Sequence, residues 1–264
     1  MSIGIAIYGV DTATPAQVFN VAQSYFKTLG YAITGAAFHQ RIPEEGGETL
    51  DLVEVSLDQL RDAIQSGRAS DFRLYSERPG AQPWFSSVGY STDAFGSFFA
   101  IDIQADEHFG DALESQTRFL TDAVQALPCS YAIVYETERV SDAMWYARGE
   151  NFVTIHADEN PVAFSRDTPG LYAGQRRYET SALRMVYPRN FVNEHHLAIQ
   201  LDGVPLADWI RADPERGQLA QTTETLWCWA VPVESLPAVN AACGKAGALL
   251  AWNRAKPVQK RRLP

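Results

Sequence analysis

Between positions 72 and 104, three runs of strand-forming residues follow one another with only turn chemistry between them. Phe72 to Ser76, Trp84 to Tyr90 and Ser97 to Gln104 are separated by R-P-G-A-Q-P and S-T-D-A-F-G, stretches rich in residues that bend the backbone. Parallel neighbours need a crossover of about a dozen residues or more, so connections this short force an antiparallel meander. A regular parallel winding is thereby excluded for this segment, and the rest of the chain has to be placed around it.

Helix signals flank the meander. Ile3 to Tyr8 reads as a strand, after which Thr14, Pro15 and Gln17 form a capping box with proline at the first helical position. Val18, Val21, Ala22, Tyr25, Phe26 and Leu29 then keep helical spacing up to Gly30. Leu50 to Val55 reads as a strand running into a second capping signature, Ser56 and Gln59, with Leu57, Leu60 and Ile64 on one side of a short helix. Asp106 is placed to cap a long helix carrying Phe109, Leu113, Leu120, Val124 and Leu127 before Pro128, and Tyr131 to Tyr135 returns as a strand. The spacing predicts an α+β fold: a mixed, largely antiparallel sheet flanked by helices.

The pattern weakens between residues 150 and 180, where Asn160-Pro161, Pro169-Gly170 and Gly174 break any period. Two organisations fit: N-terminal and C-terminal α+β lobes over 1–150 and 151–264, or one continuous domain with a long excursion. Beyond it, Leu183 to Tyr187 and Thr225 to Val231 read as strands, Pro205 to Arg211 and Ser235 to Ala246 as helices, and Leu249 to Trp252 as a last short strand.

Charge narrows the classes of partner. The formal net charge of −10 conceals a basic end, because Arg254 to Pro264 holds five positive side chains and no acid. Residues 1–253 therefore carry 17 basic against 32 acidic side chains, a net −15. Such a field repels nucleic acid and draws basic partners; the other reading is that the surplus of acid serves solubility alone. No segment approaches the roughly 20 apolar residues of a membrane helix. Met1-Ser2-Ile3-Gly4 lacks the positive start and apolar block of a secretory signal, so the cytoplasm is the expected location. Cys129, Cys228 and Cys243 are odd in number and set among apolar residues, which suits reduced, buried thiols.

Catalytic motifs are sparse. There is no G-x-S-x-G elbow, and the glycines of E-E-G-G-E sit among acids that would repel a phosphate. His195 and His196 are adjacent, whereas two helix-borne zinc ligands sit at i and i+4 to share a face. A corner of the scaffold, in which one histidine donates a ring N–H to a carbonyl, is one reading of V-Y-P-R-N-F-V-N-E-H-H-L (186 to 197), with Asn190 capping a helical turn. A metal-dependent hydrolase using His195 together with His156 is the other. The sequence gives no cofactor, metal or catalytic set that could be named.

The densest charge feature lies between residues 44 and 58, where Glu44, Glu45, Glu48, Asp51, Glu54 and Asp58 stand with no Lys or Arg among them. Two readings are open: a solvated edge whose charges discourage sheet-to-sheet pairing, or an anionic surface for a cationic site. Close by in sequence, R-P-G-A-Q-P-W-F (78 to 85) could expose Trp84 and Phe85 as aromatic anchors, and Trp84 could equally belong to the core.

Three C-terminal stretches occur in order: L-R-M-V-Y-P-R-N-F-V-N-E-H-H-L (183 to 197), L-A-D-W-I-R-A-D-P-E-R-G-Q-L (206 to 219) and L-W-C-W-A-V-P-V-E-S-L-P-A-V (226 to 239). In this succession, spanning roughly the last 80 residues, the chain resembles the immunity protein 52 family of bacterial polymorphic toxin systems. The resemblance implies an antitoxin whose partner is a toxin with a restriction-endonuclease-like nuclease domain, often delivered by type VI secretion. It places no interface residue on this chain. Together with the charge pattern it makes a nuclease-binding protein the expected function, with Glu44, Glu45, Glu48, Asp51, Glu54, Asp58, Trp84 and Phe85 as the expected contact residues.

Overall fold

Both predicted capping boxes form in the computed structural model, which describes residues 1–44, 47–80, 83–170 and 172–253. The first strand, β1 (Ser2–Tyr8), leads into α1 (Pro15–Leu29), where the Thr14 hydroxyl accepts from Gln17 N–H and the Gln17 side chain accepts from Thr14 N–H at 2.8 Å. A long hairpin, β2 (Gly35–Glu44) and β3 (Gly47–Val55), precedes α2 (Leu57–Gln65), which Ser56 and Gln59 cap in the same way. The meander is β4 (Phe72–Ser76), β5 (Ser86–Ser91) and β6 (Ala100–Ala105), followed by α3 (Phe109–Ala126), β7 (Tyr131–Thr137) and α4 (Val140–Arg148). After α5 (Ala163–Asp167) come β8 (Arg189–Asn193), α6 (Glu194–Leu197), the small pair β9 (Gln200–Leu201) and β10 (Val204–Pro205), α7 (Leu206–Arg211), β11 (Gln218–Gln221), β12 (Leu226–Ala230) and α8 (Leu236–Ala246).

The α+β class is as expected, and every pairing in the main sheet is antiparallel. Ten strands stand in the order β11-β12-β8-β7-β1-β6-β5-β4-β2-β3. Strands from either side of residue 150 join directly, since β7 pairs with β8 through Ala132 and Phe191. Period-2 alternation sorts the side chains onto two faces. Ile3, Ile5 and Ile7 of β1 lie with Val88, Ile103 and Val134 against α1, α2 and α3, where Phe19, Phe26, Leu60 and Leu120 close one core. Ala6 and Tyr8 lie on the opposite face with Ile133, Tyr135, Val192 and Trp229, under α4, α7 and α8.

Several sequence expectations shift, among them the last strand read at Leu249 to Trp252, which makes only isolated bridges. The strand read at Leu183 to Tyr187 forms instead after Pro188, as β8, and Leu183 makes only an isolated bridge to Leu249. Proline lacks an N–H, so the ladder begins just beyond it. Helix α3 starts without a side-chain cap from Asp106, its N-cap being His108. Strand β2 and helix α4 carry no distinctive sequence signal, and they exist because β3 and the β1–β6 face give them something to pair with and pack on.

The corner at residues 186–197 forms as a scaffold turn, capped by Asn193 instead of Asn190. The Asn193 side chain accepts from His195 and His196 N–H, while Asn193 N–H donates to His196 Nδ1 at 3.3 Å. With Nδ1 accepting, His196 Nε2–H donates to the Tyr178 carbonyl at 2.9 Å, so both ring nitrogens are used and the tautomer is fixed. Asn190 lies within β8, its side chain accepting from Tyr187 N–H and donating to the Tyr187 carbonyl.

Candidate functional site

On the Tyr8 face α4 packs on β1, β6 and β7, and beyond it the strands β5, β4, β2 and β3 continue the sheet as an end without α-helical cover among the described residues. One register row crosses this open end: Glu54 stands opposite Ala37, Ala37 opposite Arg73, Arg73 opposite Gly89, and Gly89 opposite Asp102. Glycine at 89 leaves a gap in the row, and the Arg73 guanidinium reaches across it to Asp102 at 2.6 Å. A Cβ at position 89 would collide with both partners. Arg148, from the end of α4, reaches the other Asp102 oxygen at 3.3 Å, and Gln104 Nε2–H donates to Asp102 at 2.7 Å. Burial alone would raise the Asp102 pKa, yet the two guanidiniums and these hydrogen bonds hold the carboxyl below its ordinary value.

Above this ionic floor, Tyr75 and Trp84 stack with centroids 6.0 Å apart, and the Arg73 guanidinium sits 5.1 Å from the Trp84 ring. The Tyr75 hydroxyl donates to Glu54 at 3.3 Å. Gly35, opposite Tyr75 in the ladder, leaves room for the Tyr75 ring. His39 and Asp71 pair at 2.5 Å beside Leu52 on the neighbouring strand. Glu54, Arg73, Tyr75, Trp84, His39 and Met144 line an open cavity of about 430 Å³. The Trp84 indole N–H is buried there without a hydrogen-bond partner among the described residues.

The sheet ends at β3, whose outer backbone edge is unpaired among the described residues. Alternation along β3 divides the predicted acids. Glu48 and Glu54 project on the cavity side with Leu50 and Leu52, which are 48% and 54% exposed. Asp51 projects on the other side, with Val53 and Val55, and Asp58 lies in the first turn of α2. Two of the acids are paired with bases: Glu48 meets Arg41 across the hairpin at 3.3 Å, and Asp58 meets Arg61, three residues on along α2, at 2.6 Å. Glu45 lies outside the described residues, as does the basic stretch 254–264. Glu44 is placed by its backbone, opposite Gly47 at the hairpin end.

The structure therefore brings Glu54 and Trp84 together around Tyr75 and sets Glu48 on the same side. Phe85 is separated from them, turning to the opposite face of the sheet just before β5 begins at Ser86. It is buried in the α1–α3 core, edge-on to Tyr31 and under the Arg78 guanidinium at 3.5 Å. Sequence reasoning missed Arg73, Tyr75, Asp102 and Arg148. The alternation in F-R-L-Y-S and A-I-D-I-Q marks Arg73, Tyr75 and Asp102 as facing away from the apolar core, but only the sheet order sets them side by side.

The histidines of the hydrolase reading lie elsewhere. His195 is exposed on α6, while His156 lines a cavity of about 370 Å³ with Tyr187 and Trp252. Burial, then the Arg184 charge, push the His156 pKa down to about 4, and its Nε2 has no hydrogen-bond partner among the described residues. Beneath it, Tyr187 hydrogen-bonds Tyr146, and Tyr146 donates to the buried Glu159, which lies 3.7 Å from Arg184. Among the described residues no group of three His, Cys, Asp or Glu side chains stands at ligand spacing, and no helix is long and apolar enough to cross a membrane.

No protein-family model and no curated protein matches the chain. Among solved structures it is similar to the T6SS protein PA0821 of Pseudomonas aeruginosa, with a TM-score of 0.55 and 11% identity over 98% of this chain and 76% of that one. At that identity the likeness is one of fold. A second structure, the toxic C-terminal tip of CdiA from Pseudomonas aeruginosa in complex with immune protein, aligns over 53% of this chain and 88% of that one. Its identity is 10% and its TM-score 0.28, too low to indicate a common fold.

Proposed function

We propose that this chain is an immunity protein, without enzymatic activity of its own, that binds a cognate secreted nuclease toxin in the cytoplasm and occludes its basic cleft. The observation that carries the reading is the open end of the sheet. Carboxylates at Glu48 and Glu54 flank exposed Leu50 and Leu52 there, next to a half-buried Trp84 on an ionic floor. A nuclease must hold a polyanion, so its cleft is cationic, and carboxylates set across it occupy the place of phosphates. Exposed ion pairs contribute only about 0–1 kcal/mol each. Affinity is therefore assigned to the apolar and aromatic centre, with the surplus of acid accelerating association. The fold shared with a T6SS protein, and the resemblance of residues 183–239 to antitoxins, agree with this role.

The test is to identify a nuclease toxin gene next to the gene for this chain and to co-express the two. Survival that requires this chain, and is lost when Trp84 and Leu52 are both replaced by aspartate, supports the proposal. Cell death regardless of its presence removes it.

A further inference from the structure

One exposed side chain runs against the economy of the fold. Phe152 is 72% exposed, the highest value among the large apolar side chains of the described residues. It also adopts a left-handed backbone conformation, φ 55°, directly after Asn151 at φ 53°. Asparagine tolerates that region, but for a bulky side chain it is an outlier. Glycine or asparagine would meet the turn with less strain and leave no aromatic ring in water. The isolated chain thus bears two costs at one residue, strain and exposure, with no packing in return, a combination that points to function.

The neighbourhood of Phe152 extends the docking face. With Tyr172, which is 46% exposed, it borders a cavity of about 330 Å³ that Gly96, Phe98 and Arg148 also line. Arg148 also lines the cavity of Trp84 and Tyr75, so the two hollows share this side chain, anchored by Asp102. Seven large apolar side chains are exposed among the described residues. Leu52, Phe152 and Tyr172 line one or other of these two cavities, and Leu50 stands beside Leu52. Glu150 lies two residues from Phe152 and is exposed, repeating the pairing of carboxylate with apolar side chain seen on β3.

We infer that Phe152 is an anchor residue that inserts into an apolar recess edged by basic side chains on the same toxin that the β2–β3 hairpin meets. The left-handed turn at 151–152 holds its ring outward before contact. This rests on the immunity reading above and adds to it a second contact point, separated from the hairpin by Arg148. Anchors of this kind, when truncated, commonly weaken binding ~30-fold or more.

The experiment uses the full chain and a catalytically inactive form of the toxin that it neutralises in the co-expression test. Dissociation constants are measured by calorimetry for wild type, Phe152→Asn and Phe152→Tyr, and thermal unfolding is followed for each free protein. The expected result is a ~30-fold or greater loss of affinity for Phe152→Asn, near-wild-type binding for Phe152→Tyr, and an unfolding midpoint for Phe152→Asn equal to or above wild type. Unchanged affinity in Phe152→Asn, with wild type binding tightly, overturns the anchor and leaves the immunity reading standing. A lowered midpoint in Phe152→Asn assigns the ring to packing and likewise overturns it. Failure of wild type to bind the nuclease at all overturns the immunity reading itself.

Discussion

Acid should destabilise this protein through His196 in a measurable pH window. In the folded chain burial pushes its pKa down to about 4 from an ordinary 6.5, against the opposing hydrogen bond to Tyr178. The folded state therefore holds the ring neutral where the unfolded chain would protonate it. Its contribution to stability is complete above pH 6.5 and is lost as pH falls toward 4, because the unfolded state then binds the extra proton. Between pH 7.5 and pH 5, this one group is worth about 2 kcal/mol, rising to about 3 kcal/mol below pH 4. The structure supplies the comparison protein: glutamine at 196 can accept from Asn193 N–H as the third residue of a capping box and does not titrate. Urea unfolding of wild type and His196→Gln at both pH values separates this histidine from the carboxylates and His156, which are common to the two proteins. The variant is expected to lose about 2 kcal/mol less than wild type over that interval. Equal losses in both proteins would refute the account of His196 as a buried neutral cap.

Further outcomes test the open end of the sheet. Asp102→Ala, which leaves Arg73 and Arg148 without their shared buried counter-charge, is expected to cost about 3–5 kcal/mol in urea unfolding. Asp102→Ala in a chain also carrying Arg73→Met should lose less than the two single changes added together, since one of the two stranded charges is gone. Replacing Glu48, Asp51 and Glu54 with lysine should lower the association rate for the nuclease far more than it raises the dissociation rate, and added salt should slow wild-type association in the same way. Stopped-flow traces insensitive to both changes would remove electrostatic steering from the proposal.

Local chemistry in the sequence decided much of this molecule. Thr14 with Gln17 and Ser56 with Gln59 start helices because their side chains satisfy orphan backbone N–H groups within four residues, and that chemistry needs no tertiary partner. The short connections around residues 77–99 impose antiparallel neighbours for the same reason of reach, and the adjacency of His195 and His196 disfavours a shared metal on one helical face. What the sequence could not decide was which distant groups meet. Asp102 finds Arg73 only because β5 lies between their strands with glycine at the shared register, and Glu54 meets Tyr75 only because β2 separates β3 from β4. Trp84 and Phe85, adjacent in the chain and both candidate anchors by sequence, part to opposite faces just ahead of β5, while strand order unites residues far apart. Charge and capping act over a few residues or through the whole field, so they are written in the chain. Register and the limit of helical cover are set by packing the entire sheet, and they alone determine which acids and aromatics form one surface.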